Sequence, residues 1–175
     1  MADTKLTLYD MEIAIARSHE FNYIKNLVVF NVHGQSGILP LYHECDVLVC
    51  TKTGYLTEIE IKRSYTDFVN DFKKRHNHYS KHIKNFYYCI PEKIYDKVVE
   101  YLKNYEDQSD WRTGAGIIVI RENRKLCEMK APTKNKEAMK LNLEQMFYMA
   151  RLGSMRVITL KDKVNKMNKM NKNGK

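Results

Sequence analysis

Two strand-like runs, "HECDVLVCT" (43–51) and "YLTEIEIK" (55–62), are separated only by Lys52, Thr53 and Gly54. So short a connection between β-branched and aromatic segments predicts an antiparallel hairpin. Side chains alternate faces along a strand. Glu58, Glu60 and Lys62 therefore share one face and Ile59 and Ile61 the other. By the same rule Glu44 and Asp46 lie opposite Cys45, Val47 and Val49. Charge inside a strand core is expensive unless it is partnered. The hairpin thus predicts carboxylates converging on one side of a sheet, with Lys62 beside them. Converging carboxylates repel and raise one another's pKa unless a cation is near, and magnesium is suited to a few carboxylates plus phosphate oxygens.

The flanking pattern places this hairpin in an α/β sandwich around a mixed sheet. Leu6, Tyr9, Ile13 and Ala16 recur at helical spacing and predict a first helix over 5–19, capped by Thr4 or Asp3. Glu12 falls among its apolar positions, where a carboxylate is uncommon. "NLVVFNV" (26–32) reads as a strand ahead of the hairpin. Ser64 with Asp67 opens a second helix whose apolar stripe is Phe68, Phe72 and Tyr79, and "NFYYCIP" (85–91) is a further strand. The resulting order is α-β-β-β-α-β. A helix near 92–104, strands at 115–120 and 125–129, and a helix over 136–153 complete one domain spanning 1–159.

The charge is concentrated rather than spread. Of the net +9, residues 161–175 carry +5 and the window 72–91 another +5, leaving the remainder near neutral. The repetitive end "KVNKMNKMNKNGK" lacks a core-forming pattern, so 160–175 reads as a basic, disordered tail, serving either non-specific affinity for polyanions or simply solubility. The other basic window holds Lys73, Lys74, Arg75, Lys81 and Lys84. With His78 these form a surface able to follow phosphates without reading sequence, and Lys74 is the leading candidate for a phosphate contact. Helical spacing places Asp67, Asp71, Lys74 and His78 in one polar line. His76, His78 and His82 do not predict a zinc site: no cysteine stands nearby in sequence, and on a helix His76 and His78 face different ways. Tyr79, Tyr87 and Tyr88 read first as core, and Trp111 lies in a polar loop as a contact or a lid.

Neither a signal peptide nor a membrane span is predicted, because Asp3, Lys5 and Asp10 interrupt the start and Asn31, Gly34, Gly37 and Pro40 break the least charged stretch. Cys45, Cys50, Cys89 and Cys127 lie in apolar runs without CxxC spacing, as expected for reduced core residues of a cytoplasmic protein.

An acid in the first helix, Asp46 in "HECDVL", and Glu60-Ile61-Lys62 in "TEIEIK", followed by a helix and a strand, resemble the PD-(D/E)XK nuclease superfamily over roughly residues 8–91. "EIEIKRSYTDFVNDFKK" followed by "FYYCIP" looks more narrowly like the MmcB-type DNA-repair branch. Cys45 stands where the family name carries proline. The resemblance implies a restriction-endonuclease-like core hydrolysing DNA phosphodiesters in repair or recombination. In it Asp46, Glu60, the carbonyl of Ile61 and Glu12 would hold magnesium or manganese, and Lys62 would position water or stabilise developing charge. Glu58, one pair earlier on the strand, is a secondary candidate expected to be solvated. The alternatives are a non-catalytic nucleic-acid-binding module on the same fold, or a junction-resolving or restriction-type endonuclease working as a homodimer. DNA is expected before RNA as the partner.

Overall fold

The computed structural model describes residues 6–35 and 38–173. Its elements run α1 (Leu8–Arg17), β1 (Leu27–Gln35), β2 (Leu39–Cys50), β3 (Leu56–Ile61), α2 (Tyr65–Asp71), β4 (Ile83–Pro91), α3 (Tyr95–Asn104), β5 (Gly116–Ile120), β6 (Leu126–Lys130) and α4 (Leu143–Asn173). Short 3-10 turns, Glu92–Ile94 and Trp111–Gly114, precede α3 and β5. The strands form one mixed six-stranded sheet in sequential order. β1, β2 and β3 pair antiparallel, β3, β4 and β5 pair parallel, and β6 returns antiparallel on β5. With helices on its faces, this is an α/β fold.

Each face of the sheet has its own apolar core. On one, Leu48, Leu56, Phe86, Tyr88, Ile90 and Val119 meet Phe68 and Phe72, Val98 and Leu102 of α3, and Tyr148 and Met149 of α4. On the other, Val47, Ile59, Ile61, Tyr87 and Ile118 meet Met11, Ala14 and Ile15 of α1. Tyr87 and Tyr88 are thus core residues on opposite faces. β3 and β5 are buried at every position, as expected for strands covered on both sides.

The alternation expected along β2 breaks at Asp46. Cys45 packs with Leu48 and Cys50, whereas Val47 and Val49 pack on the opposite face. Opposite it, Val29 and Val32 share one face although they are three residues apart, and Asn31 between them has φ of 50°. A left-handed residue rotates a strand through part of its twist, and the two strands change face together at Asn31 and Asp46. Cys45, Val47 and Val49 are therefore not one row.

Other elements shift. In α1 the Thr7 hydroxyl and the Asp10 carboxylate form a capping box, and the caps expected at Asp3 or Thr4 lie outside the described residues. The buried side of α1 is Met11, Glu12, Ala14 and Ile15, while Tyr9 and Ile13 of the expected stripe are exposed. α2 stops at Asp71, so Tyr79 is not part of its stripe and stands exposed, edge-on to Trp111. The last helix begins at Leu143 rather than 136, with Asn142 and Gln145 exchanging backbone–side-chain hydrogen bonds at its start. It also continues through Asn173, where disorder was expected from 160. Extension of a packed helix avoids the nucleation cost of an isolated one, and lysine and methionine favour it.

Candidate active site

Glu58 and Glu60 point to the sheet face covered by α2 and the segment after it, beside Phe86 and Tyr88 of β4 in register. That cover explains why Glu58 is completely buried, contrary to its expected solvation, and why Glu60 and Lys62 are nearly so. A buried charge persists only when paired, and these are paired among themselves. Lys62 Nζ lies 3.0 Å from Glu60 Oε2 and 2.7 Å from Asp71 Oδ1. Asp71 Oδ1 also receives Lys74 Nζ at 2.7 Å, while its Oδ2 accepts from His78 Nε2 at 2.9 Å and from the Tyr88 hydroxyl at 2.8 Å. The other His78 nitrogen, Nδ1, lies 2.7 Å from Glu58 Oε1, which also meets His43 Nε2 at 2.7 Å.

Asp46 occupies the point where the β2–β3 ladder ends. The last paired residues are Val47 and Ile59. Beyond them, side chains replace the ladder: Asp46 Oδ2 accepts the Ile61 N–H at 2.8 Å, and Glu60 Oε1 accepts the Asp46 N–H at 3.3 Å. The departure of Asp46 from strand alternation therefore directs its carboxylate to the ExK strand. Glu12 lies on the buried side of α1, where Asn31 donates to it and the charge of Asp46 reaches it.

The electrostatics divide the acids into two sets. Burial, reinforced by Asp46, pushes Glu60 up to about 7. Burial also raises Asp46 despite the Ile61 N–H and Lys62, and burial with Asp46 raises Glu12. In these three acids burial outweighs whatever favours the ionised form. Glu58 and Asp71 are the reverse: burial would raise them, but the hydrogen bonds of His43 and His78 hold Glu58 low, and His78 and Lys62 hold Asp71 well below the usual carboxylate range. Burial alone would lower His78, yet Asp71 and Glu58 together push it up to about 9. Lys62 likewise remains an ammonium, because Glu60 and Asp71 outweigh its desolvation.

The expected site residues thus fall into place unevenly. Asp46, Glu60 and Lys62 come together, with Glu12 electrostatically adjacent. His78 is no surface contact for nucleic acid: it is buried at φ of 61° between Glu58 and Asp71. Lys73, Lys74, Arg75 and Lys81 are exposed, and half-buried Lys84 lies 3.6 Å over the Tyr55 ring. Sequence spacing missed Asp71 as a partner of Lys62, and missed His43 altogether. Burial and the charges of His78 and His43 lower His76, whose ring stacks on His43 at 5.1 Å, to about 4. Among the described residues, two groups have ligand atoms mutually within 4.8 Å: His43, Glu58 and His78, and Glu60, Asp71 and His78. The cysteines are free thiols, and no described helix is long and apolar enough to cross a membrane.

The sequence matches no family model and no curated protein. Among solved structures it is similar to the SPO1766 protein of unknown function from Silicibacter pomeroyi, at 12% identity and a TM-score of 0.54, over 89% of this chain and 88% of that one. At that identity the likeness extends to the fold: a mixed α/β sheet flanked by helices.

Proposed function

We propose that this chain is a metal-dependent nuclease of the PD-(D/E)XK type, with a restriction-endonuclease-like core, hydrolysing DNA phosphodiester bonds in repair or recombination. The observation carrying this reading is the junction of β2 and β3, where Asp46 and Glu60 are hydrogen-bonded to each other's strands and Lys62 is held as a cation against Glu60. The resident ion would be magnesium or manganese. The residues suit it: Asp46, Glu60 and Glu12 are hard oxygen donors, all raised by burial, with the charge of Asp46 adding to the rise at Glu60 and Glu12, the condition a divalent cation relieves. Asp46, Glu60 and the Ile61 carbonyl would hold it, with Glu12 beside them. Bound there, the ion supplies a polarised phosphate and a more acidic water.

The chain's own residues supply the rest. Lys62, fixed between Glu60 and Asp71, presents a positive charge that needs no reorganisation as the phosphorane charge develops. Exposed Lys73 and Arg75, with Lys74 bridging from Asp71 to the surface, offer a track for the phosphate backbone next to the site. Four reduced cysteines suit a cytoplasmic setting. Calorimetric titration with manganese and magnesium, followed by incubation with single-stranded, duplex and branched DNA, tests the reading. Asp46→Ala and Glu60→Ala are expected to abolish metal binding and cleavage together; cleavage undiminished in both variants refutes it.

One observation favours a second reading. Lys62, Glu60, Asp71 and His78 already neutralise one another through short contacts, so the same fold serves equally as a non-catalytic nucleic-acid-binding module. DNA retention without metal-dependent cleavage would select it. A dimeric, junction-resolving endonuclease is distinguished by sedimentation and by paired cuts on a branched substrate.

A further inference from the structure

Behind the carboxylate junction lies a cluster of different chemistry. His43 and Cys45 project from the same face of β2, Glu58 comes from β3, and His78 comes from the connection between α2 and β4. All four are at most 5% exposed. Glu58 Oε1 is 2.7 Å from both His43 Nε2 and His78 Nδ1, and Cys45 Sγ is 3.5 Å from His43 Nε2. The second Glu58 oxygen, Oε2, is buried without a hydrogen-bond partner. A buried acceptor left empty is costly and rare, and here it belongs to a fully buried carboxylate among two imidazoles and a thiol.

We propose that His43, Glu58 and His78, whose ligand atoms lie within 4.8 Å of one another, form with Cys45, which approaches through His43, a buried site for a zinc-class divalent ion, separate from the oxygen-donor site at Asp46 and Glu60. A tetrahedral zinc site with ordinary bond lengths spaces its ligand atoms by about 3.3–3.8 Å. The separation of Cys45 Sγ from His43 Nε2 is already in that range, and the Glu58 oxygen and the two imidazole nitrogens on it need part only by roughly half an ångström. The orphaned Glu58 oxygen gains a partner. His78 keeps its Nε2 proton on Asp71 Oδ2 at 2.9 Å, the carboxylate–imidazole arrangement that fixes which nitrogen faces a metal. Its left-handed backbone, φ of 61°, is the kind of strain retained where a side chain must be held in place. The ion replaces two protons, one from His78 Nδ1 and one from Cys45 Sγ, so the charge of the cluster is unchanged on binding. One thiolate and two imidazoles favour zinc over magnesium. The two metal sites therefore share no ligand and differ in donor type.

The test uses the full chain, produced without a polyhistidine tag and purified without chelator. Elemental analysis is expected to find about one zinc per chain. After chelation and dialysis against cobalt(II), the expected spectrum has a thiolate-to-cobalt charge-transfer band and the intense visible bands of a tetrahedral site. Cys45→Ser should lose the charge-transfer band, and Glu58→Gln and His43→Gln should weaken zinc retention at least tenfold, with circular dichroism confirming the fold. Asp46→Asn should leave zinc content and the cobalt spectrum unchanged. A folded wild type that holds no zinc and gives no thiolate band with cobalt overturns the site; so does loss of the cobalt signature in Asp46→Asn. Absent nuclease activity alongside a retained cobalt signature refutes the nuclease reading and leaves this one standing.

Discussion

Asp71 takes four donors on two oxygens: Lys62 and Lys74 on Oδ1, His78 and Tyr88 on Oδ2. Removing its charge would leave a buried ammonium and an imidazolium facing each other across a neutral amide. Asp71→Asn is therefore expected to cost about 3–5 kcal/mol, as breaking a buried ion pair does, read as a lower urea midpoint at pH 7 with an unchanged m-value. The same residues give the metal-free protein a directed pH dependence. Asp71 is lowered from 3.8, so its stabilisation is present above that value and lost in stronger acid. Glu60 is raised from 4.5 to about 7, so ionising it in the folded state costs stability progressively across that interval. His78 is raised from 6.5 to about 9, so its contribution is complete below 6.5 and lost as pH climbs through 9. Chelated protein should accordingly melt highest near pH 5 and lower steadily toward pH 9. Magnesium affinity should run the other way, rising through about pH 7 as Glu60 gives up its proton. Calorimetry at pH 6 and pH 8 would detect it, and a flat profile would remove Glu60 from the ligand set.

At the scale of elements, the site depends on a local irregularity shared by two strands. Asn31 holds φ of 50° opposite Asp46, and its carbonyl accepts from Arg156 of α4. Asn31→Gly keeps the left-handed backbone but gives up the bond to Glu12, whereas Asn31→Val should destabilise by about 1–2 kcal/mol more than the glycine variant, measured by chemical denaturation, and weaken metal binding by turning Asp46 away. Strand alternation was sufficient to place Glu60 of β3 and Lys62, just past its end, together, because regular strands obey it. It failed at Cys45 and Val47, where a single left-handed residue on the neighbouring strand changes the face, and nothing within β2 itself signals this. Helical periodicity carried α2 too far for a related reason. After Asp71 the chain turns through the hydrogen bonds Lys73 N–H to the Asn70 carbonyl and Lys74 N–H to the Asp71 carbonyl, and Arg112 donates to the Asp71 carbonyl at 2.6 Å. Arg112 is distant in sequence. His78 consequently moves from an exposed helix line to the buried centre, and the meeting of His43 with Glu58, fifteen residues away, is a tertiary fact that spacing along one strand does not encode. The signal that was present is the third acid: a strand carrying Glu58, Glu60 and Lys62 on a single face asks for partners from another element.

For the molecule as a whole, the second half of α4 adds charge without adding core. Tyr148 and Met149 pack against the sheet, and the helix is exposed from Ser154 to Met170. Lys163, Lys166 and Lys169 recur every third position, which on an α-helix advances the charge around the axis by about 60° at each step and, with Lys161, spreads it over roughly half the circumference. No single face becomes the basic one. Charge so spread attracts a polyanion without specifying a docking orientation, so its effect on DNA should be purely electrostatic and strongly screened by salt. A chain ending at Thr159 retains Arg156 and every buried residue of α4, and its melting temperature should fall by no more than about 2 °C, since exposed residues away from the core contribute little. It lacks a segment of net charge +5. If the six lysines removed engage phosphates in the complex, the slope of log K against log salt should become shallower by roughly 0.9 for each phosphate no longer neutralised, up to about five units. Metal-dependent cleavage at low salt should persist, because Asp46, Glu60 and Lys62 are untouched. An unchanged slope would assign DNA affinity to Lys73, Lys74 and Arg75 beside the site, and would leave the end of α4 without a part in substrate binding.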